Sequence, residues 1–319
     1  MQHRDQNRRQ FLTRTTALTA LTVIGASTDR NAMGKTSQAT GLVIDTHLHC
    51  FAGADDPRFP YHEQAPYRPE AAATPEHLLR CMDEAEVDHA IVVHPEPYQD
   101  DHRYLEHCLD VGQGRLKGTC LFFADRPASL KKMPEFVRRN EGRIVAARVH
   151  AYAPGRLPPL GTPEFRRLWK IASDFGLAMQ LHFEPRYAPG LEPYIKEFSD
   201  TTVIIDHLGR PMQGTPDEHA VVVRWSELPN TIMKLSALPR QDSYPHRDVQ
   251  PVIQQLTDAF GADRLIYGGG FNAEATGDSY RAYRERLLAY LSHLSETEQD
   301  KILGGTAARL FGFQPAEGR

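Results

Sequence analysis

Short apolar runs alternate with longer amphipathic stretches along most of this chain, and this alternation restricts the fold more than any other feature. The eight runs cover residues 42–47, 89–94, 116–123, 144–150, 177–182, 202–207, 231–235 and 264–267. Between them, apolar residues recur at helical spacing, as in residues 75–85, 163–175, 248–260 and 280–294. Eight strand–helix units predict an α/β fold, a (β/α)8 TIM barrel. An open doubly wound sheet competes, but it needs no eighth strand and usually has a glycine-rich first turn, which is missing here.

The first forty residues differ in character from the rest. Arg8 and Arg9, then Phe11 and Leu12, precede a mildly apolar segment over residues 15–26. This order resembles a twin-arginine export signal and predicts a periplasmic protein, although Thr13 stands where a basic residue is usual. A disordered basic tail is the alternative. We therefore assign residues 1–40 to a signal peptide and linker, 41–314 to the barrel and 315–319 to a tail.

Composition excludes some classes of function. The formal net charge of −4 gives no reason to expect nucleic acid as a partner, and no apolar run is long enough to cross a bilayer as a helix. The partner that we expect is a small-molecule substrate, and the sequence leaves the oligomeric state open. The four cysteines are scattered, so disulfides and free thiols both remain open.

Histidines fall at the ends of the predicted strands. They are His47, His49, His94, His150, His182 and His207. In a barrel the carboxyl ends of the strands meet at one face, and chemistry is kept there. His47 and His49 are two residues apart, so in a strand they leave on the same side. Neutral imidazoles there suit a divalent metal; a solvated strand end is the alternative.

Several motifs extend this pattern over almost all of the chain after the leader. They are Asp-Thr-His-Leu-His at 45–49, Asp-His-Leu-Gly-Arg-Pro at 206–211, Lys-Leu-Ser at 234–236 and Asp-Arg-Leu-Ile-Tyr-Gly at 263–268. With these, the chain resembles the amidohydrolase superfamily, in particular the amidohydrolase-related (amidohydrolase 2) branch. That branch includes sugar-lactone and 2-pyrone-4,6-dicarboxylate lactonases and aromatic-acid decarboxylases.

The resemblance implies a metal-dependent-hydrolase type of barrel and a role for each matching residue. The implied metal ligands are His47, His49 and His182, and the implied catalytic histidines are His182 and His207. The metal would be zinc or manganese, although some lactonases of this branch work without one. Arg148 and Arg210 would hold a substrate carboxylate, as guanidinium geometry favours. We add His94 and His150 as substrate-binding residues from their strand-end positions.

The end of strand eight departs from the family pattern. Members usually read Gly-Ser-Asp-Trp-Pro there, whereas this chain has Gly-Gly-Gly-Phe-Asn at 268–272, so Gly270 stands where the general-base aspartate belongs. Another group could act instead, and the candidate that we assign is Glu274. His94, His150 and Asp206 are further candidates. A changed reaction, a glycine-rich anion site and a barrel that only binds its ligand also remain open.

These observations predict a hydrolase that acts on a small carboxylated lactone, or a similar ring, by attack of water on a carbonyl. The alternatives are a catalytically impaired ligand-binding barrel and a decarboxylase of the same family. Long loops after strands one and four, over residues 49–74 and 151–162, would be lids or ordinary decoration.

Overall fold

The computed structural model describes residues 41–152, 155–239 and 247–314. The predicted export signal and tail lie outside these residues. Eight parallel strands follow one another in chain order around a sheet, as the alternation of apolar runs predicts. They are β1 (Ile44–Leu48), β2 (His89–Val93), β3 (Leu116–Leu121), β4 (Ile144–Ala151), β5 (Ala178–Phe183), β6 (Val203–Ile205), β7 (Thr231–Leu235) and β8 (Leu265–Tyr267).

Helices connect the strands and cover the outside of the sheet. They are α1 (Pro75–Ala85), α2 (Arg103–Gly112), α3 (Pro127–Arg139), α4 (Pro163–Asp174), α5 (Ala188–Glu197), α6 (Pro216–Arg224), α7 (Gln250–Phe260), α8 (Gly277–Tyr290), α9 (Glu296–Asp300) and α10 (Thr306–Phe311). Thr74 and Thr162 cap α1 and α4, and a proline follows each cap at the first helical position. The helix starts are thus encoded locally. No helix of the described residues is long and apolar enough to cross a membrane.

Two apolar clusters hold the barrel together. The larger one joins the outer faces of the strands to the helices. The smaller one takes a residue or two from near the amino end of most strands and adds Phe311 of α10, so it closes one end of the barrel. Above it the interior turns polar, with Thr119 Oγ1 donating to Gln180 Oε1 at 3.1 Å. The polar layers therefore lie toward the carboxyl ends of the strands, where the histidines are.

The barrel is nearly closed, because β8 lies against β1 through side chains. Thr46 Oγ1 donates to the carbonyl oxygen of Tyr267 at 2.6 Å, and the amide of Gly269 donates to Asp45 Oδ1 at 2.7 Å. A Cβ at Gly268 would lie 2.8 Å from the backbone nitrogen of His47. Glycine at 268 therefore lets the end of β8 approach the strand that carries the first two histidines.

Candidate active site

Five of the six strand-end histidines meet in one chain of ring contacts. The ring centroids of His47 and His49 lie 5.2 Å apart, and those of His47 and His207 lie 4.4 Å apart. His182 is 5.0 Å from His207, and His150 is 5.3 Å from His182. Side chains from β1, β4, β5 and the turn after β6 thus converge on one region at the carboxyl ends of the strands.

The structure places His94 elsewhere. Because β2 ends at Val93, His94 begins the following turn, and its Nε2 bonds the carbonyl oxygen of Gln99 at 2.9 Å. Its ring packs on His102 with the centroids 4.3 Å apart. These contacts fix the turn and do not bring the ring into the cluster. Glu274, the candidate base, lies exposed on the loop after β8.

The turn after β6 carries two of the predicted residues on an unusual backbone. His207, Leu208 and Arg210 all have positive φ, at 57°, 58° and 55°. Left-handed conformations of non-glycine residues cost about 1–3 kcal/mol each, and they cluster at active sites and ligand clamps. Gly209 between them is required, since a Cβ there would lie 2.7 Å from Val222 Cγ1.

A buried ionic centre lies beside the rings. Asp206 is fully buried, and its Oδ1 is 3.2 Å from Lys234 Nζ and 3.4 Å from His47 Nδ1. Its Oδ2 accepts from Arg148 Nε at 3.1 Å and from Gln180 Nε2 at 2.9 Å. Burial raises the pKa of Asp206, but the Lys234 and Arg148 charges outweigh that effect and hold it well below its usual value. The guanidinium predicted to hold a substrate carboxylate therefore holds Asp206.

The position of Arg210 agrees better than that of Arg148 with the predicted role of holding a substrate carboxylate. Its Nη1 donates to His182 Nε2 at 2.7 Å, and its guanidinium lies over the ring of Tyr152, 5.4 Å from the centroid. His182 Nδ1 is buried without a hydrogen-bond partner among the described residues. A His182 nitrogen that accepts from an arginine is not free to bind a metal.

The imidazoles of the cluster are neutral. Burial lowers the pKa of His49 to about 3 and that of His207 to about 3, and it lowers those of His47 and His150 well below their usual values. His49 Nδ1 donates to the carbonyl oxygen of Val93 at 2.7 Å, which leaves its Nε2 as an acceptor. His207 Nδ1 pairs with Ser236 Oγ at 2.9 Å. These rings therefore do not carry a charge at neutral pH.

Three residues of the region could bind a metal ion. Ligand atoms of His47, Asp206 and His207 lie within 4.8 Å of one another, a spacing that a metal ion could bridge. The implied set of His47, His49 and His182 differs from this one. Both oxygens of Asp206, however, are already taken up by donors, two of which are cationic.

Two cavities flank the cluster. One of about 230 Å³ is lined by Glu96, Arg148, His150 and Arg156, among others. The other, of about 490 Å³, is lined by His182, His207, Arg210 and Arg247 and by apolar residues such as Met212. The part of the chain that the structure describes contributes no carboxylate to the lining of this second cavity. It therefore suits an anionic ligand with an apolar face.

The space of the missing aspartate is filled by aromatic side chains. Gly270 has φ of +116°, and a Cβ there would lie 2.7 Å from Tyr280 Cδ2 and 3.1 Å from Tyr283 Cβ. Tyr280 donates its hydroxyl to Asp45 Oδ2 at 2.6 Å. Asp45 also accepts from the amide of Gly269, so it ties the glycine turn to β1. Packing at the end of β8 therefore favours glycine at position 270.

Sequence reasoning missed several residues of this region. Glu96, Tyr152 and Arg156 form a second polar group, in which Glu96 Oε2 accepts from the Tyr152 hydroxyl and from Arg156 Nη1, the latter at 3.2 Å. Lys234 lies in the Lys-Leu-Ser motif. A lone charged residue in an apolar strand run is uncommon, and this could have identified Lys234 as part of the site. Glu96 carried no comparable signal.

Comparison with known proteins agrees with this architecture. Residues 44–313 match the family model described as Amidohydrolase. An L-fucono-1,5-lactonase of Burkholderia ambifaria is 29% identical over 291 residues, which cover 84% of this chain and 92% of that protein.

Two crystal structures share the fold. A probable 2-pyrone-4,6-dicarboxylic acid hydrolase of Acinetobacter baumannii with citric acid bound has a TM-score of 0.69 at 24% identity, covering 85% of this chain and 99% of that one. An amidohydrolase of Burkholderia multivorans with bound zinc has a TM-score of 0.67 at 20% identity, covering 86% of this chain and 100% of that one.

Proposed function

The chain belongs to the amidohydrolase family and is a hydrolase, and on that basis we propose that it hydrolyses a small carboxylated lactone, or a similar ester-like ring, by attack of water on the ring carbonyl. The observation that carries this proposal is the imbalance of charge at the histidine cluster. Arg148 and Lys234 share one carboxylate, Asp206, and Arg210 and Arg247 line a cavity to which no described acidic residue contributes. Such a site favours an anionic substrate and the oxyanion that forms from its carbonyl.

Substrate would lie in the cavity of about 490 Å³. Its carboxylate would be held by Arg210, which His182 and the Tyr152 ring already orient. The apolar face of the ring would pack against Met212 and Val249. This arrangement would bring the carbonyl to the histidine rings.

His207 would polarise the carbonyl. When Ser236 donates to its Nδ1, its Nε2 carries the hydrogen and can donate to the carbonyl oxygen. That bond strengthens as negative charge develops on the oxygen, which is the property that accelerates the reaction.

We propose that this reaction needs no bound metal. A divalent ion at His47, Asp206 and His207 would compete with Lys234 and Arg148 for the one carboxylate there. Two buried cations already lie against that carboxylate, and a further +2 charge beside them would be repelled in a buried site. His182, an implied ligand, accepts from Arg210 through its Nε2. The donor set as built therefore serves ion pairs and hydrogen bonds.

The direct test is a screen of the purified protein against aldonolactones and carboxylated pyrones, with release of acid followed by a pH indicator. We expect turnover of at least one carboxylated lactone well above its spontaneous hydrolysis. No turnover of any of them, with or without added zinc or manganese, would overturn the proposal. Release of carbon dioxide from an aromatic acid would indicate the decarboxylase instead.

A substitution of Arg210 tests whether this residue binds the substrate carboxylate. Arg210→Met removes a charge-assisted hydrogen bond worth about 1.5–3 kcal/mol, so kcat/KM for a carboxylated lactone should fall about 10- to 150-fold. An uncarboxylated analogue should lose much less. Arg167→Met, on the exposed face of α4, is the matched control and should change neither value. Equal losses for both substrates would contradict the role of Arg210.

Gly270 favours a second candidate, a barrel of this family that binds its ligand without turning it over. The family's general base is absent there, and Tyr280 and Tyr283 occupy the space. This candidate predicts a lactone that binds in calorimetry at a stoichiometry of one and is recovered unhydrolysed. Turnover at ordinary enzyme rates would exclude it.

We also propose that the protein is exported to the periplasm by the twin-arginine route. The paired Arg8 and Arg9 support this proposal. Cell fractionation should find the protein in the periplasm, and the double substitution Arg8→Lys/Arg9→Lys should keep it in the cytoplasm. An unchanged distribution would contradict export by this route.

A further inference from the structure

Tyr152 contacts residues of both cavities at the histidine cluster. It follows β4 directly, and its side chain is half-buried. Two residues that line the larger cavity meet its ring: the His182 ring lies 4.8 Å from its centroid, and the Arg210 guanidinium lies 5.4 Å from it. Two residues that line the smaller cavity meet it as well, since its hydroxyl bonds Glu96 Oε2 and the Arg156 guanidinium lies 4.9 Å from the ring centroid. Tyr152 therefore links the two groups of polar side chains.

An ion pair holds the hydroxyl end of Tyr152. Glu96 Oε2 accepts from this hydroxyl and is 3.2 Å from Arg156 Nη1. The same Arg156 nitrogen also donates to the Tyr152 hydroxyl. Glu96 lies in the turn after β2, and Arg156 lies in the loop after β4. The three side chains thus tie that loop to a neighbouring turn and fix the direction of the Tyr152 ring.

The guanidinium of Arg210 depends on side-chain contacts for its position, because Arg210 lies in a turn and not on a strand. Its Nη1 donates to His182 Nε2 at 2.7 Å, which fixes one nitrogen. The face of an aromatic ring attracts a guanidinium and does not neutralise its charge. A carboxylate in the place of this ring would compete with the substrate carboxylate, and no described residue contributes one to the lining of this cavity. Arg210 is thus oriented while its charge stays available to a ligand.

We propose, as an extension of the proposed function, that Tyr152 is a positioning residue through which the enzyme selects carboxylated lactones. Its ring holds the Arg210 guanidinium where it meets the substrate carboxylate, and Glu96 and Arg156 hold the ring. A guanidinium that is already oriented loses less conformational entropy when it binds a carboxylate, so affinity increases. Without the ring, Arg210 keeps its charge but takes up other orientations. Tyr152 itself makes and breaks no bond in the reaction.

The test compares a carboxylated lactone that the parent protein hydrolyses with its uncarboxylated analogue. Tyr152→Leu should raise KM and lower kcat/KM for the carboxylated lactone about 2- to 30-fold, the range expected for loss of a cation–π contact, with kcat changed little. The analogue should lose much less. Tyr152→Phe keeps the ring and should recover most of the loss.

A double-mutant cycle with Arg210→Met shows whether Tyr152 acts through Arg210. Once the guanidinium is gone, the ring has nothing left to orient, so Tyr152→Leu/Arg210→Met should have the kcat/KM of Arg210→Met alone. A second loss as large as that of Tyr152→Leu by itself would show that Tyr152 acts elsewhere, for example through His182. That result would overturn this inference.

The matched control is Phe175→Leu. Phe175 is also half-buried with an arginine over its ring, since the Arg138 guanidinium lies 5.8 Å from the centroid, but it precedes β5 at the opposite end of the barrel. This substitution should leave kcat/KM for both substrates unchanged. The unfolding midpoint is recorded for each protein, and Tyr152→Met takes the place of Tyr152→Leu if the latter does not fold.

The failure of this inference is distinguishable from that of the proposed function. If the parent hydrolyses lactones while a folded Tyr152 variant loses equally with both substrates, or with neither, this inference is wrong and the proposed function stands. A parent without lactone turnover overturns both.

Discussion

Two carboxylates face histidines in this barrel, and their surroundings differ. Asp206 is fully buried and is paired with two buried cations, Arg148 and Lys234. Glu96 is slightly exposed and is paired with Arg156, whose side chain is 32% exposed. His47, beside Asp206, shares its Nδ1 with Lys234, whereas His150, beside Glu96, has an Nε2 without a partner among the described residues.

The two carboxylates therefore differ in how far they compensate buried charge. A carboxylate whose oxygens are all taken up by buried cations and amides holds its strands in place, and losing it leaves buried positive charges uncompensated. A carboxylate paired with a partly exposed arginine contributes less, because solvent screens the charge that remains when it is lost.

Acidification should have the largest effect on the free energy of unfolding, because it protonates imidazole rings that the fold keeps neutral. The pKa of His49 and that of His207 are lowered to about 3. The unfolded chain, with ordinary histidine pKa values near 6.5, binds more protons between these limits, so stability is complete above about pH 6.5 and is lost as pH falls toward 3.

The expected loss is about 3 kcal/mol for each of the two rings between pH 6.5 and pH 4. Urea unfolding at a series of pH values measures it. A free energy of unfolding that stays constant over this range would show that the rings are not held neutral.

Substitution of each carboxylate compares the two regions directly. Asp206→Asn leaves Arg148 and Lys234 buried without their counter-charge and should cost about 3–5 kcal/mol of stability. Glu96→Gln, next to a partly exposed arginine, should cost no more than about 1 kcal/mol. Urea unfolding of both variants gives the two values, and equal losses would remove the distinction between the two carboxylates.

Restoring the family aspartate should fail. Gly270→Asp would press a Cβ against Tyr280 at 2.7 Å, so it should cost about 1–3 kcal/mol and add no activity. Gly114→Asp is the matched control, because Gly114 also has positive φ, at +90°, but a Cβ there would meet no atom within 4 Å. A gain in kcat for Gly270→Asp would show that the site still needs a carboxylate at that position.

The sequence predicted the barrel well, because strands and helix starts are encoded by residues that are close together in the chain. Each strand is an apolar run, and helix starts such as those at Thr74 and Thr162 carry their own capping residues. The convergence of five histidines followed from the rule that barrel strands end at one face. His94 departs from it because it lies on the same side of β2 as Ala90 and Val92, whose side chains face the helices, so its ring packs on His102.

The partners of each side chain were not predictable in the same way. Arg148 has a strand-end position suited to a substrate carboxylate, but the barrel's register brings it to Asp206, 58 residues away in the chain. Glu96 meets Tyr152 and Arg156 across the barrel mouth for the same reason. Contacts of this kind depend on strand order and register, which no local pattern records.

We propose that this site hydrolyses lactones through ion pairs and neutral imidazoles, without a metal. The decisive measurement is lactone turnover by protein treated with chelator, with the metal content of the same sample measured. We predict full kcat at far less than one metal ion per chain, and no change when zinc or manganese is returned. Loss of activity with the metal, and recovery in proportion to metal restored, would contradict it.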